Sequence, residues 1–105
     1  MKLIMSTAPE GEAAGIADAL LGERLVACVN FVPGVRSRYW WKGALEEATE
    51  TVMLMKTTPQ LAHAAVRRLV ELHSYDVPEA VVLDIEGGNA AYLEWIADVT
   101  AGEEA

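Results

Sequence analysis

"VRSRYWWKGALEE", residues 35–47, decides how the rest of the chain is read. Lys42-Gly43 suits a tight two-residue reversal, and the run Val35 to Trp41 on one side is answered by Leu45 to Lys56 on the other. With Lys42 and Gly43 as the loop, Trp41 faces Ala44, Trp40 faces Leu45 and Arg38 faces Glu47, so charges match across the ladder. The hairpin is long against the usual strand of about 5–6 residues, and its outer part runs past any strand available to flank it. An isolated two-stranded ribbon is marginal in water. Tyr39, Trp40 and Trp41 are of the types enriched at the centres of protein interfaces, so this tip is expected to pack against other copies of the chain. The alternative is a hairpin folded back on its own sheet, with the tryptophans as ordinary core.

Upstream of the hairpin, Lys2 to Ser6 reads as a short strand, and Thr7-Ala8-Pro9-Glu10 has the spacing of a capping box. Ala13, Ile16, Ala17 and Leu20 then recur at helical spacing, with Gly22 as a stop. Leu25 to Val32 is a second strand, which Pro33-Gly34 interrupts with turn or bulge chemistry. Downstream, Thr58-Pro59 sets a helix start, with Ala62, Val66, Leu69, Val70 and His73 as its inner stripe. His63, Arg67 and Glu71 fall on its outer side. Val77-Pro78 closes the helix region and Ala80 to Ile85 forms a fourth strand. Gly87-Gly88-Asn89 caps a last helix carrying Tyr92, Leu93 and Ile96, and Gly102-Glu103-Glu104 is expected to fray. The order β-α-β-β-α-β-α is that of an α+β, ferredoxin-like split βαβ sandwich with an extra C-terminal helix and a long β2–β3 hairpin. A length of 105 residues accommodates one such domain, spanning 1–105.

Composition narrows the function. Eight basic against sixteen acidic residues give a net charge of −8, which repels nucleic acid and anionic lipid surfaces. No apolar run approaches the roughly 20 residues of a membrane span, and Met1 to Met5 is too short for a signal sequence, so a cytoplasmic location is expected. The single cysteine, Cys28, excludes an internal disulfide and suits a reducing compartment. Neither a nucleophile triad, nor a phosphate loop, nor an HExxH or CxxC motif occurs, so no enzyme activity and no organic cofactor are expected.

Four separated stretches, "LVACVNFVPGVRSRYWWKG" (25–43), "KTT" (56–58), "LHSYDVPE" (72–79) and "GNAAYLEWI" (88–96), resemble the CutA family, the divalent-cation tolerance proteins. The resemblance runs in order over nearly the whole chain. It implies a homotrimer in which the long hairpins wrap around neighbouring subunits, burying Tyr39, Trp40 and Trp41. It also implies a link to copper and other divalent ions, a likeness to PII-type signalling proteins, and no catalytic reaction. His73 matches the histidine of the family's HPY segment. Its companions in members assigned copper ligands, a preceding histidine and a cysteine before the TAP turn, are here Leu72 and Ser6.

Copper favours thiolate and imidazole, which makes Cys28, His63 and His73 the donors to consider, with His73 and Cys28 the candidate metal ligands. His73 has a structural alternative, closing its helix, and Cys28 another, as a small buried hydrophobe. His63, beside Arg67 and Glu71, reads as solvated. A second cluster, Lys56, His73, Tyr75, Asp76 and Glu79, is a candidate ligand pocket, where Lys56 would hold a small anion and Asp76 and Glu79 a cation. Against the family pattern, Ser74 replaces proline and Asp76 replaces glutamate. Glu46, Glu47 and Glu50 are expected to support the hairpin opposite Arg36, Arg38 and Lys42, each exposed pair contributing little. The function expected is divalent-cation, chiefly copper, tolerance or homeostasis by a homotrimer that binds metal weakly. The alternative is a PII-like regulatory trimer that binds a small anionic metabolite between subunits and signals to a protein partner.

Overall fold

Strand β1 (Lys2–Ala8) leads into helix α1 (Glu10–Gly22), then the hairpin β2 (Cys28–Trp41) and β3 (Ala44–Thr57), helix α2 (Ala62–Leu72), strand β4 (Val81–Asp84) and helix α3 (Ala90–Ala101), in a computed structural model that describes residues 1–103. One antiparallel sheet in the order β2-β3-β1-β4 holds the strands together, the ferredoxin-like arrangement.

Pleating determines which side chains are buried, because successive residues of a strand point to opposite faces. Ile4, Ser6 and Ala8 of β1 alternate with their partners Met55, Met53 and Thr51 of β3 on one buried face. Ala13, Ile16 and Leu20 of α1, with Ala65 and Leu69 of α2, close that face into the core. The other face is met by α3 at one end, where Tyr92 approaches Cys28 and Lys56.

Two local signals have the expected backbone form. Lys42 and Gly43 both take positive φ, +50° and +81°, so the reversal has the twist that suits a two-residue hairpin. The break at Pro33-Gly34 is a bulge, since pairing jumps from Val32↔Val52 to Val35↔Glu50, with Gly34 at φ +70°. The Arg38↔Glu47, Trp40↔Leu45 and Trp41↔Ala44 pairings hold. The ion pair itself is diagonal, from Arg36 to Glu47 at 2.6 Å. At about 3.3 Å per residue a strand of 14 residues spans about 46 Å. That is nearly the whole 48 Å long axis of the molecule. Because β1 pairs only as far as Ala8↔Thr51, the segment Ala44 to Glu50 has β2 as its sole strand neighbour.

Three helix boundaries differ from expectation. Thr7 caps nothing: it belongs to β1 and pairs with Val52, while Pro9 stands at the N-cap without a side-chain bond. Glu10 turns instead to the bulge, where its Oε1 accepts the Gly34 N–H at 2.9 Å. Helix α2 begins three residues after Pro59, because the Thr58 carbonyl first accepts from Leu61 and Ala62 in an introductory turn. Its buried line is Ala62, Ala65, Leu69 and His73, and Val70 is exposed, since a 3.6-residue period carries Val70 round to water. At the end of α3, Gly102 adopts φ +76° and the Glu103 N–H bonds to Asp98, so these two close a Schellman cap where fraying was expected. The third residue of that expectation, Glu104, lies outside the described residues. Asn89 caps α3 as expected, accepting from the Ala91 N–H at 3.1 Å. Among the described residues no helix is long and apolar enough to cross a membrane.

Candidate ligand-binding cleft

The turn after α2 is held by His73, which is 8% exposed. Its backbone N–H closes the helix on Leu69, and its ring Nε2 lies 2.7 Å from the Thr7 carbonyl. Nδ1 accepts the Tyr75 N–H at 3.1 Å. A carbonyl only accepts and an amide N–H only donates, so the tautomer with its proton on Nε2 satisfies both bonds. The His73 and Tyr75 rings lie 4.6 Å apart, and the Tyr75 hydroxyl donates to Glu50 Oε2 at 2.8 Å. Burial, then the Glu50 carboxylate, push the Tyr75 hydroxyl up to about 12. Ser74 fastens the same turn to α1 through a 2.6 Å hydrogen bond to Glu12 Oε2.

Between this turn and the hairpin lies a cleft of about 430 Å³. The hairpin contributes Ser37, Tyr39 and Trp41, which strand alternation places on one face, together with Glu50. The turn contributes Tyr75, Asp76 and Glu79. Arg36, Arg38 and Trp40 alternate to the other face, and Trp40 is 72% exposed.

The residues singled out in the sequence are thus divided. Tyr75, Asp76 and Glu79 share the cleft, and His73 stands behind it. Lys56 is elsewhere: it lies six positions from Glu50, about 20 Å along β3, with its Nζ on Asn30 Oδ1 at 2.7 Å and 5.9 Å from the Tyr92 ring centroid. Cys28, opposite Lys56, is half-buried, not wholly so, with Sγ 3.5 Å from the Tyr92 hydroxyl. The Cys28 hydrogen bond, then burial, raise that hydroxyl to about 12. The two soft donors do not meet. Cys28 pairs with Lys56 and His73 holds Thr7, the partner of Val52, so their registers are about 13 Å apart along β3. Among the described residues no three His, Cys, Asp or Glu side chains converge as a metal cage. His63 is exposed on α2.

Glu50 is the cleft residue that sequence reasoning placed among the surface acids. It is 4% exposed. The sequence signal was its position just before Thr51, where pairing with β1 begins, so that the ribbon and the sheet meet at this carboxylate.

The family model for the CutA1 divalent ion tolerance protein matches residues 2–99. The divalent-cation tolerance protein CutA of Thermus thermophilus is 44% identical over 100 residues, which cover 94% of this chain and 97% of that protein. The chloroplastic protein CutA 1 of rice is 40% identical over 93% of this chain, which spans 56% of that relative's length. Among solved structures, CutA from Xylella fastidiosa superposes with a TM-score of 0.91 at 40% identity, covering 94% of this chain and 96% of that one. The PII-like protein CutA from a Nostoc species, in apo form, gives 0.90 at 33% identity, with 95% and 97% covered.

Proposed function

The chain belongs to the CutA1 divalent ion tolerance protein family, and from that premise we propose that it serves divalent-cation tolerance as a homotrimer with weak affinity for copper. The family is a tolerance or regulatory one and not a known enzyme family, and no catalytic role is proposed. The observation that carries the assembly is the uncovered ribbon. Trp40 and Leu45, directly paired, are 72% and 58% exposed at the end of a two-stranded extension that no further strand among the described residues flanks. Neighbouring copies would supply the missing surface.

The donors bear on the proposed copper affinity by setting its limit. The Cys28 thiol is reachable but belongs to no cluster of three donors among the described residues, and His73 would have to release a hydrogen bond before either ring nitrogen could ligate. A free thiol in such a role suits a reducing, cytoplasmic setting. Native mass spectrometry, metal-free and with about one equivalent of Cu(II) per chain, tests both parts at a concentration near 10 μM. A trimer with partial copper uptake that falls in Cys28→Ala is the expected result. A monomer would overturn the assembly, and a trimer that takes no copper would overturn the metal role.

A second reading is a PII-like regulatory module whose small ligand occupies the cleft beside the hairpin. Its support is the cleft itself, whose 430 Å³ falls in the range of small-molecule sites, and the likeness to a PII-like CutA. Lys56, the residue that suggested an anionic ligand, is outside this cleft, and among the described residues no lysine, arginine or histidine lines it.

A further inference from the structure

We infer that the base of the hairpin is a braced hinge, in which Glu10 and Tyr75 hold the outer ribbon at the angle where its tip meets neighbouring copies. The inference rests on the assembly reading above and assigns these two as positioning residues for it.

Two interruptions of the sheet fall at one level. Pairing of β2 with β3 breaks between Val32↔Val52 and Val35↔Glu50, and pairing of β1 with β3 ends at Ala8↔Thr51, inside that break. A bulge disrupts the ladder and lets the strand bend. The ribbon therefore loses its third strand where its own ladder is weakest. From Glu50 to Ala44 it extends about 20 Å. A swing of about 10° at the base would carry the tip about 3.5 Å over that length, whereas packed apolar surfaces stay within about 1 Å of each other.

Two side chains from outside the sheet close on this level, one on each strand. On β2, Gly34 has no place in the ladder, and its N–H donates to Oε1 of Glu10, in the first turn of α1, at 2.9 Å. On β3, Oε2 of Glu50 accepts the hydroxyl of Tyr75, in the turn after α2, at 2.8 Å. Burial of Glu50 shields that second bond from competing water.

Both mounts are fixed to the body of the fold. Helix α1 gives Ala13, Ile16 and Leu20 to the core, while Ser74 and His73 tie the turn to Glu12 and Thr7. Strand pairing sets the register within the ribbon but not its direction relative to the two helices; the two braces set that direction. Holding a flexible element in its bound orientation lowers the ordering cost of association.

Sedimentation equilibrium and hydrogen–deuterium exchange on the full chain test this, with exchange compared at equal fractions of assembled chain. The variants are Glu10→Ala, Glu10→Gln, Tyr75→Phe and the double variant of Glu10→Ala with Tyr75→Phe. Loss of either bond should raise the dissociation constant about threefold to tenfold per tip. It should also speed amide exchange in residues 35–50 while exchange at the buried Met53 and Met55 stays at the wild-type rate. Glu10→Gln, whose amide oxygen still accepts the Gly34 N–H, should restore both readouts. Unchanged ribbon exchange or unchanged association in the double variant would overturn the brace. A Glu10→Gln variant as impaired as Glu10→Ala would do the same, as would acceleration that spreads to Met53 and Met55. A wild-type chain that is monomeric would remove the assembly reading, and exchange read on that monomer would still decide whether the two bonds hold the ribbon.

Discussion

Truncating Trp40 to alanine separates what the ribbon does alone from what it does in an assembly. An indole side chain can bury up to about 250 Å². Trp40 is 72% exposed in the isolated chain, so about 70 Å² is already covered and about 180 Å² remains to be covered. At about 25 cal/mol per Å² the first portion corresponds to ~2 kcal/mol of chain stability and the second to ~4.5 kcal/mol of association per tip. Since 1.4 kcal/mol is a factor of ten, Trp40→Ala should shift the dissociation equilibrium by about a thousandfold for each tip buried at an interface. Sedimentation equilibrium over a dilution series reads this directly, with circular dichroism confirming that the chain remains folded. An oligomer that dissociates at the wild-type concentration despite the substitution would show that the tip stays in water, and the interface reasoning would fail.

Two glycines should respond in opposite directions although neither would acquire a clash. Gly15 lies exposed inside α1 with open space where a Cβ would stand, so Gly15→Ala should stabilise by up to about 1 kcal/mol; Gly34 at φ +70° also has open space, yet Gly34→Ala should cost about 1–2 kcal/mol in left-handed backbone strain. Urea midpoints that move together would refute the argument from backbone conformation. Alkaline pH supplies a third test, because Tyr75 and Tyr92 are both raised from 10 to about 12 in the folded chain. Between those values the unfolded chain releases phenolic protons that the native state keeps, so stability is intact below about pH 10 and falls as pH approaches 12. Melting temperature against pH should decline in that window, less steeply in Tyr75→Phe. An unchanged slope in that variant would remove Tyr75 as a contributor.

The elements read correctly from sequence are those whose causes act within a few residues. Lys42-Gly43 and Pro33-Gly34 shape the backbone where they stand, and Asn89 reaches a donor two residues on. The stripe from Ala13 to Leu20 identifies a buried face by period alone. With element types in order, few topologies remain, and the ferredoxin-like order followed. Thr7 was misread because a capping signal competes locally, whereas pairing with Val52 comes from a distant strand. The contrast between Glu50 and Lys56 has the same origin. Both are polar residues of one 14-residue strand, and nothing nearby in the chain tells which end meets the turn after α2. The register Ala8↔Thr51 and the bond from His73 to Thr7 decide it. They bring the turn to Glu50 and leave Lys56 with Cys28 and Tyr92. The sequence thus determined the elements and the hairpin, through short-range backbone chemistry and hydrophobic period. Tertiary structure alone decided which charges share a cavity, because that depends on contacts between segments far apart in the chain.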